Sequence, residues 1–348
     1  MVQVPSLNPA VAEVRRAVRA AFADLVVRAG VEAGNGASST PEPGPTVVVA
    51  LSGGADSLAL AAATAFEAPR LGLTAVAVVV DHGLQDGSAD AAAAASAAAA
   101  ALGLGARVVR VDVGTAGGPE AAARAARYAA LDAAASALRA VAVLTGHTLD
   151  DQAETVLLGL ARGSGTSSLQ GMAPVSALAS GTPLLRPLLG VRRETLRAAC
   201  TAQGLTPWDD PHNADPRYVR SRVRERVMPV LEAELGPGIA EALARTAEQA
   251  REDAAAFAAM IDETIEDIVE HAEAGISLSV AALAANPAAL RHRIVRTVVA
   301  AEFGESLTRA QTLEVARLAM DWSGQGPIDL PGCQARRVGA RIEFRAAR

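Results

Sequence analysis

The stretch TVVVALSGGADS, residues 46–57, decides how the rest of the chain is interpreted. It opens with a β-branched run, Thr46 to Val49, which is too short for a helix and is typical of a buried strand. The run ends in a turn with two consecutive glycines, Gly53 and Gly54, and the sequence LALAAATAF that follows favours a helix. The stretch therefore predicts a strand, a glycine turn and a helix in succession.

The predicted turn suits an anion. Two glycines allow backbone N–H groups to converge beside the unpaired N–H groups and the positive dipole at the start of the helix. Ser52 and Ser57 add hydroxyl donors, so a phosphate or a pyrophosphate fits there. Asp56 would repel a phosphate unless a cation lay between them, which points to a Mg²⁺ nucleotide. The Gly-Lys-Ser or Gly-Lys-Thr pattern of Walker loops is absent, and the plainer alternative is a turn with serine caps.

Length and composition narrow the class of protein. A chain of 348 residues is long enough for two or three domains, and its hydrophobic residues, 51% of the total, supply a sizeable core. All 32 basic residues are arginine, and the net charge of −6 argues against a surface that coats nucleic acid. Cys200 and Cys333 form no C-x-x-C pair that would indicate a zinc or iron–sulfur site. With neither a signal core nor a membrane-length apolar stretch, we expect a cytoplasmic protein without a membrane partner.

Strands and helices alternate through the first half of the chain. Strands are predicted at residues 46–51, 73–80, 106–112 and 141–145, and helices at 57–66, 87–102, 119–138 and 150–161. This alternation predicts an α/β fold with a doubly wound parallel sheet, in which ligands bind at the carboxyl ends of the strands.

Further helices and the domain boundaries follow from composition. Helices are predicted at residues 9–32, 191–203, 217–235, 238–272, 286–302 and 308–320, with a short strand near 183–186. We expect a catalytic domain over 1–215 that carries a mobile Gly/Pro/Ser-rich loop at 34–45. A smaller, mostly α-helical domain is expected over 216–325, followed by a hairpin-like tail over 326–348.

Polar residues follow two of the predicted strands. The second strand is followed by Asp81 and His82, and the fourth by Gly146, His147, Asp150, Asp151 and Glu154. Helical spacing puts Asp150 or Asp151 on one face with Glu154, although acids at a helix start are also ordinary capping residues. Because they lie at the same sheet edge as the glycine turn, we expect them to face the nucleotide and to hold Mg²⁺ or an ammonium group. The two histidines favour a role in the site, with no third ligand to suggest zinc.

Two arginine-rich stretches are candidates for anion contacts. Glu120, Arg124 and Arg127 share one helical face, which is either a solvated salt-bridged face or a guanidinium pair aimed at a carboxylate or phosphate. The densest basic patch in the chain comprises Arg217, Arg220, Arg222, Arg224 and Arg226. An ordinary solvated helix is one interpretation of it, and we favour the other, a surface that contacts RNA phosphates.

Taken together, these stretches resemble the tRNA(Ile)-lysidine synthetase family of the ATP-pyrophosphatase (PP-loop) superfamily. The matching pieces are SGGADS (52–57), VDHGL (80–84), EAAARAARY (120–128), TGHTLDDQAET (145–155), RGSGTSSLQGM (162–172), RPLLGVRRE (186–194) and WDDPHNADPRYVRSRVRERVMPVLE (208–232). LDDQAET is shared with thiolating relatives, whereas residues 186–232 are more specific to lysidine synthetases. The chain departs from the family pattern at Gly146, Gln85 and His212, where a histidine, an arginine and a threonine or serine are common. Its length resembles that of the shorter family members.

The resemblance implies a ligase reaction. ATP adenylates the C2 oxygen of the wobble cytidine in the isoleucine tRNA with a CAU anticodon, and the amine of free L-lysine then displaces AMP to give lysidine. The residues that would contact ATP are Ser52, Gly53, Gly54, Ala55, Asp56, Ser57, Asp81, His82, Gly146 and His147. Asp56 would position Mg²⁺, and Asp151 and Glu154 would orient the lysine ammonium, one of them taking its proton.

The resemblance also assigns the arginines. Arg124 or Arg127 would pair with the α-phosphate or the lysine carboxylate; we place Arg124 with the catalytic residues and Arg127 with the lysine site. The residues expected to contact tRNA are Arg217, Arg220, Arg222 and Arg224. A homodimer is a further expectation.

Three alternatives stay open from the sequence. A tRNA thiolase of the same fold would need a cysteine arrangement that two isolated cysteines do not provide. An ammonia-dependent amidoligase, such as an NAD or GMP synthetase, would share the loop but would not need the arginine patch. A non-enzymatic nucleotide-binding or RNA-binding protein would not need the acids beside the loop.

Overall fold

The β-branched run forms β1, Thr46–Ala50, near the centre of a six-stranded sheet in this computed structural model. The structure describes residues 7–29, 44–83, 87–115, 118–163, 165–210, 215–272 and 275–347. Most of the loop expected at 34–45, together with Gln85 and His212, lies outside the described residues.

The six-stranded sheet has the predicted parallel core. Its other strands are β2 (Thr74–Asp81), β3 (Gly105–Arg110), β4 (Ala142–Leu144), β5 (Val175–Ala177) and β6 (Pro183–Leu185). Their order is β3-β2-β1-β4-β6-β5. Among the described strands of this sheet, only β5 runs antiparallel to its neighbour. The predicted α/β fold is confirmed, and β5 was not foreseen because a three-residue strand has too little pattern to recognise.

Helices cover both faces of this sheet. They are α1 (Pro9–Ala29), α2 (Ala55–Glu67), α3 (Ser88–Ala101), α4 (Pro119–Leu138), α5 (Leu149–Ala161), α6 (Thr166–Leu169) and α7 (Arg193–Ala202). Because successive strand residues point to opposite faces, Val47 and Val49 join the core that includes α1, α2, α3 and α7. Val48 joins the core beneath α4. All three valines are fully buried, which fixes the register of β1 and so the position of the glycine turn.

The helix predicted over 217–235 forms in three consecutive parts. These are α8 (Val219–Arg222), a π-helical turn (Val223–Val227) and α9 (Met228–Leu235). In the π-helical turn the Met228 N–H donates to the Val223 carbonyl oxygen, one residue further back than in an α-helix. Pro229 follows directly and has no N–H to continue the regular ladder.

The chain divides into two units, Met1–Ala250 and Arg251–Arg348, so the division falls later than the expected boundary near 215. The helix α10 (Ile239–Ile268) begins in the first unit and ends in the second. The helix predicted to run to 272 is corrected here, because Val269–Ala272 forms the strand β7 paired with β8 (Gly275–Ser279). Hydrogen bonding to β8 outweighs the helical pattern of the sequence at these positions.

The described residues of the second unit combine the end of α10 and three further helices with an antiparallel sheet. After β8 come α11 (Val280–Ala285), α12 (Ala288–Phe303), α13 (Arg309–Met320), β9 (Ile328–Leu330), β10 (Cys333–Val338) and β11 (Arg341–Ala346). The five strands lie in the order β7-β8-β11-β10-β9. The hairpin of β10 and β11 is therefore the centre of a sheet rather than a separate tail. Its Phe344 side chain is fully buried with Leu278 and Ile294.

Candidate active site at the carboxyl edge of the parallel sheet

The glycine turn is closed by its own hydrogen bonds. The Ser57 hydroxyl donates to the Gly54 carbonyl oxygen at 2.9 Å and accepts from the Ser52 N–H at 3.1 Å. Gly53 has φ +86°, a conformation that side chains rarely adopt, and its carbonyl oxygen accepts from the Trp208 N–H at 2.9 Å. The turn is thus fixed in shape before any ligand arrives. Ala55 follows as the first residue of α2, where unpaired N–H groups face the turn.

The end of β4 touches this turn. A Cβ atom added to Gly146 would lie 3.1 Å from the carbonyl carbon and oxygen of Asp56 and 3.2 Å from the Ser57 nitrogen. A side chain at this position would have to push the two backbones apart by a few tenths of an ångström. The two stretches that stood out in the sequence are therefore brought together at one edge of the sheet.

Two acids at the start of α5 face this edge, and each is held in a defined way. Asp151 closes a capping box, since its Oδ2 accepts from the Thr148 N–H at 2.9 Å and the Thr148 hydroxyl at 3.0 Å. Its Oδ1 accepts from Arg193 at 2.8 Å and Arg224 at 3.1 Å. The Glu154 side chain is 2% exposed and pairs with Arg224 at 2.8 Å and Arg220 at 3.1 Å. A buried carboxylate requires such partners, because leaving its charge unpaired would cost several kcal/mol.

Charge pairing shifts the pKa values of this cluster. Burial alone would raise the pKa of Asp151, but the guanidinium of Arg193 and the Thr148 N–H outweigh it and the pKa lies below its ordinary value. Burial alone would lower the pKa of Arg224, but its bond to Glu154 outweighs it and raises the pKa. Both groups are therefore fully charged at neutral pH.

Arg193 joins the two halves of the site, and the sequence analysis gave it no role. Its guanidinium lies 3.5 Å from Asp56, 2.8 Å from Asp151 and 3.4 Å from Glu154. It is the first residue of α7, and its N–H donates to Asp150 Oδ2 at 2.8 Å. A cation at the start of a helix opposes the helix dipole. Two adjacent arginines there, Arg192 and Arg193, were the signal that would have identified it.

The arginines of the predicted RNA-contacting patch do not lie together on one open helical face in the structure. Arg217 is 79% exposed and pairs with Asp215 at 2.6 Å, and Arg222 donates to the Pro216 carbonyl oxygen at 2.7 Å. Arg220 and Arg224 turn inward to the acids of α5, within the same unit as the glycine turn. Burial of Glu154 explains the difference, since its charge draws the nearest cations. A contact of these arginines with tRNA stays a prediction.

The residues after β2 have partners of their own. Asp81 is buried, and the Gly83 N–H donates to its Oδ1 at 3.0 Å, which holds the pKa of this carboxyl below its ordinary value. His82 Nε2 lies 3.5 Å from the Nε of Arg127. Burial lowers the pKa of His82, and its Nδ1 is buried without a partner. Asp81 thus shapes the turn after β2, and His82 keeps an unused nitrogen.

His147 and Arg124 complete the predicted set. The Nδ1 of His147 lies 3.0 Å from the Thr145 hydroxyl, and burial lowers the pKa of this histidine to about 4. It is therefore neutral at physiological pH. Arg124 is exposed on α4 and stacks over the Tyr128 ring at 4.9 Å from the centroid.

Comparison with protein families matches the PP-loop domain over residues 32–231 and the TilS substrate binding domain over residues 278–342. The tRNA(Ile)-lysidine synthase of Leifsonia xyli is 58% identical over 87% of this chain and 90% of its own length. That of Streptomyces coelicolor is 52% identical over 97% of this chain and 99% of its own length. The chain belongs to the tRNA(Ile)-lysidine synthase family.

The family expected from the sequence is thereby confirmed. Among solved structures, the U34-tRNA thiolase NcsA of Methanococcus maripaludis shares the fold, with a TM-score of 0.54 over 69% of this chain and 79% of that one, at 20% identity. At this identity the likeness shows the fold alone. Among the helices of the described residues, none combines the length and apolar character that crossing a lipid bilayer needs.

Neither cysteine of this lysidine synthase family member is poised for chemistry. The Cys200 thiol lies beneath the glycine turn, 3.4 Å from the Ala55 carbonyl oxygen, and burial together with the charge of Asp56 raises its pKa to about 11. Burial also raises the pKa of Cys333. A thiol is reactive as the thiolate, so burial works against the reactivity of both thiols.

The residues present fit a cation at Asp56. Its Oδ1 is buried without a hydrogen-bond partner, and burial raises the pKa of this carboxyl to about 6. A carboxylate oxygen left in this state is what a hard cation would satisfy. The described residues hold no cluster of three or more metal-ligating side chains, so the remaining ligands would come from phosphate oxygens and water.

Proposed function

We propose that this protein ligates free L-lysine to C2 of the wobble cytidine of the CAU-anticodon isoleucine tRNA, using ATP, in the cytoplasm. The observation that carries the proposal is the reach of Arg193, whose one guanidinium contacts Asp56 of the glycine turn and both acids of α5. The place suited to a nucleotide and the place suited to an amine are therefore adjacent. The names of the curated relatives support the same reaction.

In the first step, the C2 oxygen of the base attacks the α-phosphorus of ATP and pyrophosphate leaves. The Ser57 hydroxyl and the Ser52 N–H hold the turn of residues 52–57 in shape, so its other N–H groups would be available to the phosphates. Asp56 would hold Mg²⁺, which supplies neutralising charge to the phosphates when bound. His147 stays neutral beside this edge and is able to hydrogen bond without adding charge.

In the second step, the lysine ammonium first gives up a proton, which we assign to Glu154, so that the ε-nitrogen has a free lone pair. The nitrogen then bonds to C2, the bond from C2 to its oxygen breaks, and AMP leaves with that oxygen. The nitrogen loses its second proton to water. Asp151 has a pKa below its ordinary value and is tied into a helix cap, so its role is to orient the ammonium. Arg124 or Arg127 is assigned to the lysine carboxylate or the α-phosphate, as the sequence suggested.

The test measures pyrophosphate release and incorporation of labelled lysine into a CAU-anticodon isoleucine tRNA transcript. A transcript with uridine in place of the wobble cytidine is the control. One pyrophosphate per tRNA is expected from adenylation alone, so the decisive signal is multiple turnover. Turnover that requires both lysine and the wobble cytidine, with lysine bound to the tRNA, supports the proposal. Sustained turnover without lysine incorporation would refute it, and sulfur incorporation would support the thiolase alternative.

A further inference from the structure

The carboxylates proposed to receive the lysine ammonium are already occupied by arginine. Glu154 Oε1 accepts from Arg224 at 2.8 Å, and its Oε2 accepts from Arg220 and Arg224, each at 3.1 Å. Both oxygens of Asp151 are used as well, one by the helix cap and the other by Arg193 and Arg224. An ammonium group brings three donors and has to find acceptors. It cannot reach these oxygens in good geometry unless an arginine leaves.

The charges of the cluster balance without any ligand. Three carboxylates, Asp56, Asp151 and Glu154, face the three guanidiniums of Arg193, Arg220 and Arg224. An incoming lysine ammonium would add one positive charge in a partly buried place, where like charges repel strongly. A phosphate that drew off one guanidinium would remove this conflict. Arginine suits such an exchange, because its planar fork matches phosphate as well as carboxylate.

The three arginines differ in how firmly they are held. Arg193 is anchored through its own N–H to Asp150 and is 16% exposed. The Arg220 and Arg224 side chains are 28% and 25% exposed. Arg224 lies in the π-helical turn at Val223–Val227. Such a turn carries one extra residue, and its return to α-helical bonding would rotate side chains by roughly 100° about the helix axis. Arg224 thus lies on a segment with a second local arrangement available, and Arg220 lies in α8 directly before it.

We propose that Arg220 and Arg224 are positioning residues with two alternative sets of partners. In the free protein they hold Glu154 and Asp151. When a substrate phosphate arrives, from ATP or from tRNA, they transfer to it and leave the carboxylates to the lysine ammonium. The inference rests on the proposed function and adds an order of events to it. Lysine binding is coupled to phosphate binding, so the amine gains its full site only when the group that it must react with is present.

The experiment is calorimetric titration of L-lysine into the full-length protein under three conditions. These are the protein alone, the protein with Mg²⁺ and a non-hydrolysable ATP analogue, and the protein with the tRNA transcript. We expect lysine to bind about tenfold or more tightly in at least one phosphate-containing arm, which also identifies the source of the phosphate. Because coupling is reciprocal, lysine must tighten the binding of that same ligand by the same factor.

Two variants give the matched comparison. Arg224→Gln should bind lysine without phosphate about as tightly as the phosphate-saturated wild type, so that the coupling factor falls toward one. Arg16→Gln, which changes an exposed arginine of α1 outside the site, should keep the coupling of the wild type. A gain in lysine affinity cannot come from a damaged fold. The wild-type comparison needs no substitution, so the test holds even if Arg224→Gln is unstable.

The outcomes separate this inference from the proposed function. Equal lysine affinity in all three arms, in a protein that still releases pyrophosphate with tRNA and lysine, overturns the exchange and leaves the ligase proposal intact. A coupling factor unchanged in Arg224→Gln overturns it as well. Absence of lysine-dependent turnover would defeat the ligase proposal itself, and the inference with it.

Discussion

Asp56 is a carboxylate within a turn that is suited to bind phosphate, and this combination indicates a bound cation. A carboxylate has no place in a phosphate cradle on electrostatic grounds, and the structure leaves its buried Oδ1 without a partner. Its other oxygen lies 3.5 Å from Arg193, which has two further carboxylates to bind. Arg193 would therefore keep two ion-pair partners without Asp56.

We predict that Asp56→Ala abolishes adenylation of the tRNA while the fold stays intact. Loss of the carboxylate would remove the anchor for a cation that neutralises the phosphates. Pyrophosphate release in the presence of tRNA measures the effect, with far-UV circular dichroism and the melting temperature as folding controls. A folded variant that releases pyrophosphate at nearly the wild-type rate would exclude the proposed metal role.

His147 predicts a pH effect on stability. Its pKa is about 4 in the folded protein and 6.5 in the unfolded chain, so between these values the unfolded state binds more protons. The free energy of unfolding therefore decreases as the pH falls from 6.5 towards 4. Above pH 6.5, the stabilisation that comes from keeping His147 neutral is present in full. Between pH 6.5 and pH 4, this titration should lower the free energy of unfolding by up to about 3 kcal/mol.

The comparison of His147→Gln with the wild type isolates this contribution from the titration of carboxylates. Urea unfolding at several values between pH 7 and pH 4 should show a shallower loss of stability in the variant. Parallel curves for the two proteins would mean that the histidine titrates normally in the folded state.

At the scale of elements, Gly146 lets the β4–α5 turn lie against the start of α2. We predict that Gly146→Ala raises the KM for ATP, because a Cβ atom at 3.1 Å from the backbone of Asp56 would push the glycine turn out of shape. Gly105→Ala is the control, since a Cβ atom there meets nothing within 4 Å. Unchanged ATP kinetics in Gly146→Ala would show that the turn adapts without cost.

The sequence predicts the elements that are determined by a local pattern of residues, and it does not predict those that depend on residues far apart in the chain. The strand β1 and the helix α5 have local patterns, so Asp56, Gly146, Asp151 and Glu154 were placed at the right edge from sequence alone. Arg193 was missed because its partners are 39 and 42 residues away along the chain. The strands β5 and β7 were missed because short strands are decided by the neighbours that they pair with.

The arginine-rich helix shows the same limit. Its residues were identified correctly as the densest basic patch, and helical spacing was right for α8. The inward turn of Arg220 and Arg224 depends on the burial of Glu154, which spacing does not reveal. The expectation that both would contact tRNA phosphates follows only from the local pattern.

At the scale of the whole molecule, we predict that Arg220→Ala/Arg224→Ala destabilises the protein. Removing both cations would leave Glu154, which is 2% exposed, with Arg193 as its remaining ion-pair partner among the described residues. Breaking buried pairs in this way costs on the order of 3 kcal/mol. Thermal melting and binding of an ATP analogue measure the effect. An unchanged melting temperature together with a salt dependence of tRNA binding flattened by about two units would instead support the open-face interpretation.

A protein with a net charge of −6 has to confine the positive charge that meets an anionic partner. In the second unit, Arg293 and Arg309 help to lower the pKa of Arg296, after the larger effect of its burial, so these cations lie close together on α12 and α13. Among the described residues, no carboxylate lies within ion-pairing distance of Arg296 or Arg309. Because these guanidinium groups repel one another and have no carboxylate partner to offset the repulsion, they favour the binding of an anion from outside the protein.

We therefore predict that Arg296→Ala/Arg309→Ala weakens tRNA binding and lowers the slope of log affinity against log salt by up to about two units. Each arginine that meets a phosphate releases about one counterion, so the change in slope reports whether one or both side chains bind phosphate. The affinity for an ATP analogue should stay at the wild-type value, because the glycine turn belongs to the other unit. Filter binding at several salt concentrations gives the slope, and Arg245→Ala/Arg317→Ala is a control of equal charge change. A double variant with wild-type affinity and slope, while the control weakens binding, would place the tRNA on a different face of the molecule.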